Sequence, residues 1–281
     1  MKTFALALGG GGARGLAHIL VVEALDEMGL KPVAIAGTSI GALVGTAYAA
    51  GLRGKDIRHH VLAFAHNRAE TMRRLILARA GKFADLFAGA FGHATQIDAE
   101  KFCAQFLPET IPADFSDLQI PLTVMATDLH RRQEAPLTSG PLRAALAASI
   151  AIPGLLRPVA LDGRVLIDGG ATNPLPFDRL RGRAVCIVAV DVLSVPPAER
   201  SDIPRPWECM YTTLNIMGSA IVAAKLAHGA PDLLICPKVG IFRTLDFHQA
   251  TAILRAADAM KAEVKERLGA LLGASDQHGD L

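Results

Sequence analysis

Three short stretches of the chain set glycines around residues that can do chemistry. Gly10-Gly11-Gly12-Ala13-Arg14-Gly15 is a loop almost stripped of side chains, so its backbone N–H groups can approach an anion closely. Gly37-Thr38-Ser39-Ile40-Gly41 is a GxSxG, whose glycines permit the sharp strand-to-helix turn that pushes a serine hydroxyl toward an acyl carbonyl. Leu166-Ile167-Asp168-Gly169-Gly170 carries an aspartate off the end of an apolar strand into a Gly-Gly turn. A nucleophile beside an anion-ready loop suits acyl transfer, which needs attack on a carbonyl and stabilisation of charge on its oxygen.

Each stretch has a plainer reading. The glycine run also fits a dinucleotide or phosphate site. A dinucleotide, however, wants a carboxylate near the end of the second strand, where Ala36-Gly37-Thr38-Ser39 offers none. Ser39 can be a helix cap, and Asp168 an Asx-turn. The proton acceptor is open as well. None of the nine histidines stands in a telling context, although His228, or better His248 after the last strand, would complete the order serine, acid, histidine. A conventional α/β hydrolase has several strands before its nucleophile, whereas Ser39 follows only the second. Asp168 at a strand end is the other candidate base, with Asp128 as the fallback. Asp191 also ends a strand but reads as loop solvation or capping.

The elements that must position these groups alternate. Apolar runs at 3–8, 33–36, 122–126, 164–167, 185–190 and 233–236 read as strands. Helical patterns span 13–28, 40–50, 142–149, 207–228 and 251–272. Strands separated by helices predict a three-layer α/β/α sandwich around a mostly parallel sheet. There is no internal repeat and no long linker, so one domain over 1–281 is expected, with a polar tail at 273–281.

Composition narrows the class. With 281 residues and 51% hydrophobic content the chain can bury a sizeable core, which excludes intrinsic disorder. Twenty-nine Lys plus Arg against 27 Asp plus Glu leaves a net charge of +2, too balanced for a nucleic acid partner. The four cysteines are dispersed without CxxC spacing, which fits a reducing compartment rather than a zinc site or a disulfide framework. Cys186 and Cys236 lie in apolar strand runs and read as small core residues. The His59-His60 pair lacks a third ligand, so no metal is assigned. The apolar start ends at Gly9, too soon for a signal peptide, and no run spans a membrane. A cytoplasmic protein is expected, with peripheral membrane contact left open.

GGGARG at 10–15, GTSIG at 37–41 and DGG at 168–170, in this order and spacing, resemble the patatin-like phospholipase family. Ala148-Ser149-Ile150-Ala151-Ile152-Pro153-Gly154 and Asn173-Pro174-Leu175-Pro176 resemble its bacterial members. The similarity covers residues 3–192. The resemblance implies a serine–aspartate dyad, with Ser39 as nucleophile, Asp168 as general base and oxyanion donors from the N–H groups of Gly10, Gly11 and Gly12. Gly15, Gly37, Gly41, Gly169 and Gly170 support those motifs, and no cofactor is implied. Arg14 would add positive potential for a phosphate-bearing substrate or pair with a structural carboxylate.

The expected activity is hydrolysis of acyl esters in lipids. The alternatives are a soluble carboxylesterase for small esters and a non-catalytic module holding a phosphate or nucleotide in the Gly loop. Two segments bear on substrate. Residues 68–82 carry five basic side chains among Met72, Leu75, Ile76 and Leu77, a pattern for lipid headgroup contact, a lid or an ordinary solvated helix. Residues 80–94, with Phe83, Leu86, Phe87 and Phe91, suit the lining of an acyl channel.

Overall fold

The computed structural model describes residues 2–67, 73, 97–194 and 203–273. The basic segment at 68–82, the apolar stretch at 80–94 and the tail beyond 273 therefore lie almost wholly outside the described residues. The centre of the fold is a parallel run of short apolar strands. In it β1 (Phe4–Leu8) lies between β2 (Ile35–Thr38) and β7 (Cys186–Val190), β2 pairs onward with β3 (Leu122–Asp128), and β7 with β8 (Leu233–Ile235). Every residue of β1, β2 and β3 is buried, as strands covered on both faces require.

The two faces differ in size. Alternation sends Phe4, Leu6, Leu8, Ile35, Val188 and Val190 into the larger core, under the helices α1 (His18–Glu27) and α2 (Ile40–Ala49). The opposite face offers Ala5, Ala7, Ala34, Ala36 and Ala189. Such short side chains let the turn at Phe177–Leu180 and the long helix after residue 205 settle close to the sheet. Phe177, 1% exposed, fills the space the alanines leave. The result is three layers, helix over sheet over helix.

Antiparallel strands complete the sheet, and sequence patterning alone misses most of them. β4 (Gln133–Leu137) is an edge strand on β3, and its composition, Gln-Glu-Ala-Pro-Leu, hides it. Pro136 is tolerated because the edge needs no outward donor. β5 (Val159–Leu161) and β6 (Arg164–Asp168) form a hairpin, and β6 also pairs antiparallel with β3. β2 itself ends two residues later than the apolar run suggests, at Thr38, directly before Ser39. Two further helices, α3 (Gly54–His66) and α4 (Ala99–Phe106), are too polar on their outer faces to stand out as apolar patterns. α5 (Leu142–Ser149) and α6 (Pro206–Ala227) fall where expected.

Other departures are local. The helix expected at 13–28 opens as a 3-10 turn over Gly12–Ala17 before α1 begins. The one expected at 251–272 is two, α7 (Ala250–Asp258) and α8 (Lys261–Gly273). Cys186 is buried as expected, but Cys236 falls just past β8 and is exposed. No helix among the described residues is long and apolar enough to cross a membrane.

One feature of the registers positions the site. β4 pairs with residues 124–128 of β3, so it occupies one side of that strand throughout its outer half. β2 pairs with 122–125 and β6 with 126–128, which places both on the other side, end to end. β2 runs parallel to β3 and β6 runs against it, so their C-terminal ends, Thr38 opposite Met125 and Asp168 opposite Ala126, meet head-on.

The residues beyond the motif-bearing part are tied to it. Glu23 of α1, nearly buried, accepts hydrogen bonds from Arg58 of α3 and Lys261 of α8, and Arg58 also grips Asp258. The N–H of Ala13 donates to the carbonyl of Thr244 at 2.7 Å. Phe177 is fully buried against the alanines with Leu175, Leu180 and Val222 around it, so Phe177→Ala leaves a cavity and is expected to cost about 3–5 kcal/mol. Urea unfolding measures it, and a loss below about 1 kcal/mol would mean the face collapses readily onto the cavity.

Candidate active site

Ser39 stands between β2 and α2 with backbone angles φ 54° and ψ −122°. Among the described residues only Arg132 and Asp162 share a positive φ without being glycine. Such a conformation costs on the order of 1–3 kcal/mol and persists only where its surroundings enforce it. Here they do. A Cβ on Gly41 would lie 2.2 Å from the Leu8 carbonyl oxygen, and one on Gly37 would lie 2.6 Å from the Ala42 Cα, so the turn closes only around bare backbone. The Ser39 hydroxyl donates to Asp168 Oδ2 at 2.7 Å.

Asp168 is held on every side. Its Oδ1 accepts the N–H of Gly170 at 2.7 Å, its own N–H donates to the Ala151 carbonyl, and its carbonyl accepts the Thr127 hydroxyl, which also bonds Thr172. The Thr38 hydroxyl donates to the Asn173 carbonyl at 2.7 Å, a second tie between the two strand ends. Burial pushes the Asp168 carboxyl up to about 6, against the hydrogen bonds from Ser39 and Gly170 that favour its charged form. At neutral pH it is therefore ionised yet a far better proton acceptor than a free carboxylate.

The Gly loop lies beside the serine, since a Cβ on Gly10 would sit 3.6 Å from the Ser39 Cβ. Its three expected donors are not equivalent. The N–H of Gly10, expected as an oxyanion donor, donates to the Pro174 carbonyl at 2.8 Å. The N–H groups of Gly11 and Gly12 have no acceptor among the described residues. Gly12 has φ 59°, and a Cβ there would lie 2.1 Å from the Thr244 carbonyl oxygen. Gly15 is pressed against Ile40, the first residue of α2, so the loop and the serine turn share one packing contact.

Two charged or titratable side chains lie under the loop. Arg14 is buried and its Nε and Nη2 have no hydrogen-bond partner among the described residues. Burial lowers its pKa, and the Asp191 charge opposes that shift. No carboxylate among the described residues is hydrogen-bonded to it. His18, fully buried, sets Nε2 2.8 Å from the Gly9 carbonyl. Burial pushes it down to about 4, so it is neutral at physiological pH and its Nε2–H donates to that carbonyl. The spacing of the nine histidines does not single out His18. The available clue is a histidine among Leu16, Ala17, Ile19 and Leu20, directly after the glycines.

The other candidates lie elsewhere. Ser39 and Asp168 bond no histidine among the described residues. His228 is exposed on the end of α6 with Nδ1 on the Ala224 carbonyl, and His248 is exposed in the turn before α7. Asp128 accepts the N–H of Arg131, and Asp191 accepts those of Leu193 and Ser194, so both act as turn caps.

The model of the patatin-like phospholipase family matches residues 6–181. An NTE family protein of Mycobacterium tuberculosis is 42% identical over 178 residues, which are 63% of this chain and 45% of that protein. A lysophospholipase of Pyricularia oryzae is 31% identical over 243 residues, covering 81% of this chain and 15% of its own. The chain thus spans less than half the length of these relatives. Among solved structures, VipD from Legionella pneumophila superposes with a TM-score of 0.51 at 15% identity, over 95% of this chain and 67% of that one, a likeness of fold.

The raised Asp168 carboxyl has a consequence for stability. A carboxyl whose pKa is higher in the fold than in the unfolded chain destabilises the fold as pH rises from about 4 through about 6. Asp168→Asn removes that charge and is expected to be more stable than the unsubstituted protein at pH 8, by on the order of 2–3 kcal/mol. The advantage should vanish near pH 4. Thermal unfolding at the two pH values checks it, and an advantage independent of pH would show that the carboxyl titrates normally.

Proposed function

The chain belongs to the patatin-like phospholipase family, and from that premise we propose that it is a lipid acyl hydrolase in which Ser39 is the nucleophile and Asp168 its general base. The observation that carries the reading is the 2.7 Å hydrogen bond from Ser39 Oγ to a buried carboxylate with a raised pKa, at a serine held in a strained turn. A serine that merely capped α2 would direct its oxygen at the helix N–H groups, and Ser39 makes no such bond.

In this mechanism Ser39 Oγ attacks the ester carbonyl carbon while its proton passes to Asp168 Oδ2. The carbonyl oxygen becomes an oxyanion, and the unspent N–H groups of Gly11 and Gly12 face it as donors. Collapse of the tetrahedral intermediate breaks the C–O bond of the ester. Asp168 returns the proton to the departing alcohol, leaving an acyl group on Ser39. Water then attacks the acyl-enzyme, gives its proton to Asp168, and Ser39 recovers it as the fatty acid leaves. Neighbouring Arg14 supplies positive potential to the same end of the loop.

Lipid esters are the proposed substrates because the family match and the fungal lysophospholipase both point to them. A carboxylesterase for small soluble esters is the competing reading, and one domain carries the activity in either case.

An alkyl fluorophosphonate is expected to label Ser39, found by peptide mass spectrometry. Ser39→Ala and Asp168→Asn should each lower ester turnover by on the order of 10⁴-fold or more with the fold intact. His228→Ala and His248→Ala should stay within about twofold, as exposed substitutions do. A large loss in either would restore a histidine base. Activity of the unsubstituted protein should rise with pH through about 6 as Asp168 ionises. A rate jump on lipid micelles over monomeric short-chain esters favours lipids, and equal rates favour the carboxylesterase.

A further inference from the structure

Ser149, at the C-terminal end of α5, is fully buried. Its hydroxyl accepts the backbone N–H of Ser39 at 2.9 Å and donates to the carbonyl of Met125 at 2.6 Å. The direction of both bonds is fixed, since an amide only donates and a carbonyl only accepts.

The place of this hydroxyl in the sheet is informative. Ile35 donates its N–H to the Pro121 carbonyl, and rungs between parallel strands recur every second residue. Continued to the end of β2, that ladder would join the Ser39 N–H to the Met125 carbonyl directly. Ser149 Oγ stands in that rung and relays it. The insertion holds the Ser39 backbone away from β3 at the point where φ turns positive. Two residues on, Ala151 uses its carbonyl to fix the N–H of Asp168. One short segment thus grips the backbone of both groups in the proposed dyad.

We propose that Ser149 is a positioning residue for the reaction, wedged between the Ser39 N–H and the Met125 carbonyl so that the serine turn keeps Oγ on Asp168. The proposal rests on the hydrolase reading above. Without the wedge the Ser39 N–H and the Met125 carbonyl are free to approach each other, which draws the hydroxyl off its carboxylate while leaving the substrate space unchanged.

The test is steady-state kinetics of Ser149→Ala and Ser149→Cys on a chromogenic acyl ester, with circular dichroism to confirm folding and Ser39→Ala run beside them. A misplaced nucleophile costs on the order of 10- to 100-fold, so kcat should fall by that amount in Ser149→Ala with KM within about twofold. The fluorophosphonate labelling rate should fall in step. Ser149→Cys keeps the volume but is a weak acceptor, and its kcat should also drop; it decides the matter if the alanine variant does not fold. A folded variant with unchanged kcat, or with only KM raised, overturns the proposal. Turnover surviving in Ser39→Ala would instead sink the hydrolase reading itself.

Discussion

The site depends on two strand ends meeting head-on along one side of β3. Neither Ser39 nor Asp168 has a side chain long enough to cross a sheet, and they are 129 positions apart in the chain. Because β2 stops opposite Met125 and β6 arrives from the other direction opposite Ala126, Ser39 and Asp168 share one gap. Direct backbone rungs are missing between those ends. What replaces them is a set of side-chain bonds, Ser149 to Met125, Thr127 to the Asp168 carbonyl and Thr38 to the Asn173 carbonyl, that satisfy the buried backbone without closing the gap.

Satisfying the backbone in this way has an energetic logic. A buried carboxylate and a serine at positive φ each weigh against folding, and the hydrogen bonds from Ser39 and Gly170 offset the burial of the carboxylate only in part. Stability comes from the cores on either side, the broad one under α1 and α2 and the compact one between the alanine face and Phe177. The C-terminal helices contribute to the first through Lys261 and Glu23, and Thr244 braces the Gly loop from the same side. The part of the chain beyond the family motifs therefore buttresses the loop those motifs build.

Much of this was legible in the residues, because short motifs at strand ends carry local geometry. The glycines at 37 and 41 announce a close backbone approach, and apolar runs of four to six residues announce buried strands. What stayed hidden is non-local. No spacing in the sequence tells that the Pro174 carbonyl takes the N–H of Gly10, or that β6 abuts β2. β4 is hidden by its charged, proline-containing edge sequence, and the break in the last helix by helix formers on both sides of Ala259. Cys236 looked like a core residue because its neighbours Leu233 to Ile235 are apolar, but the strand ends one position too early to bury it.

The bond from Gly10 to Pro174 joins the loop before the first helix to the loop just after Asp168. It ties the position of one motif block to that of the other. A change that shifts Asn173-Pro174 moves the glycine loop with it, so substitutions in the two blocks are expected to be non-additive. A chimera that exchanged only one of the blocks with a distant relative would inherit half of a fitted pair.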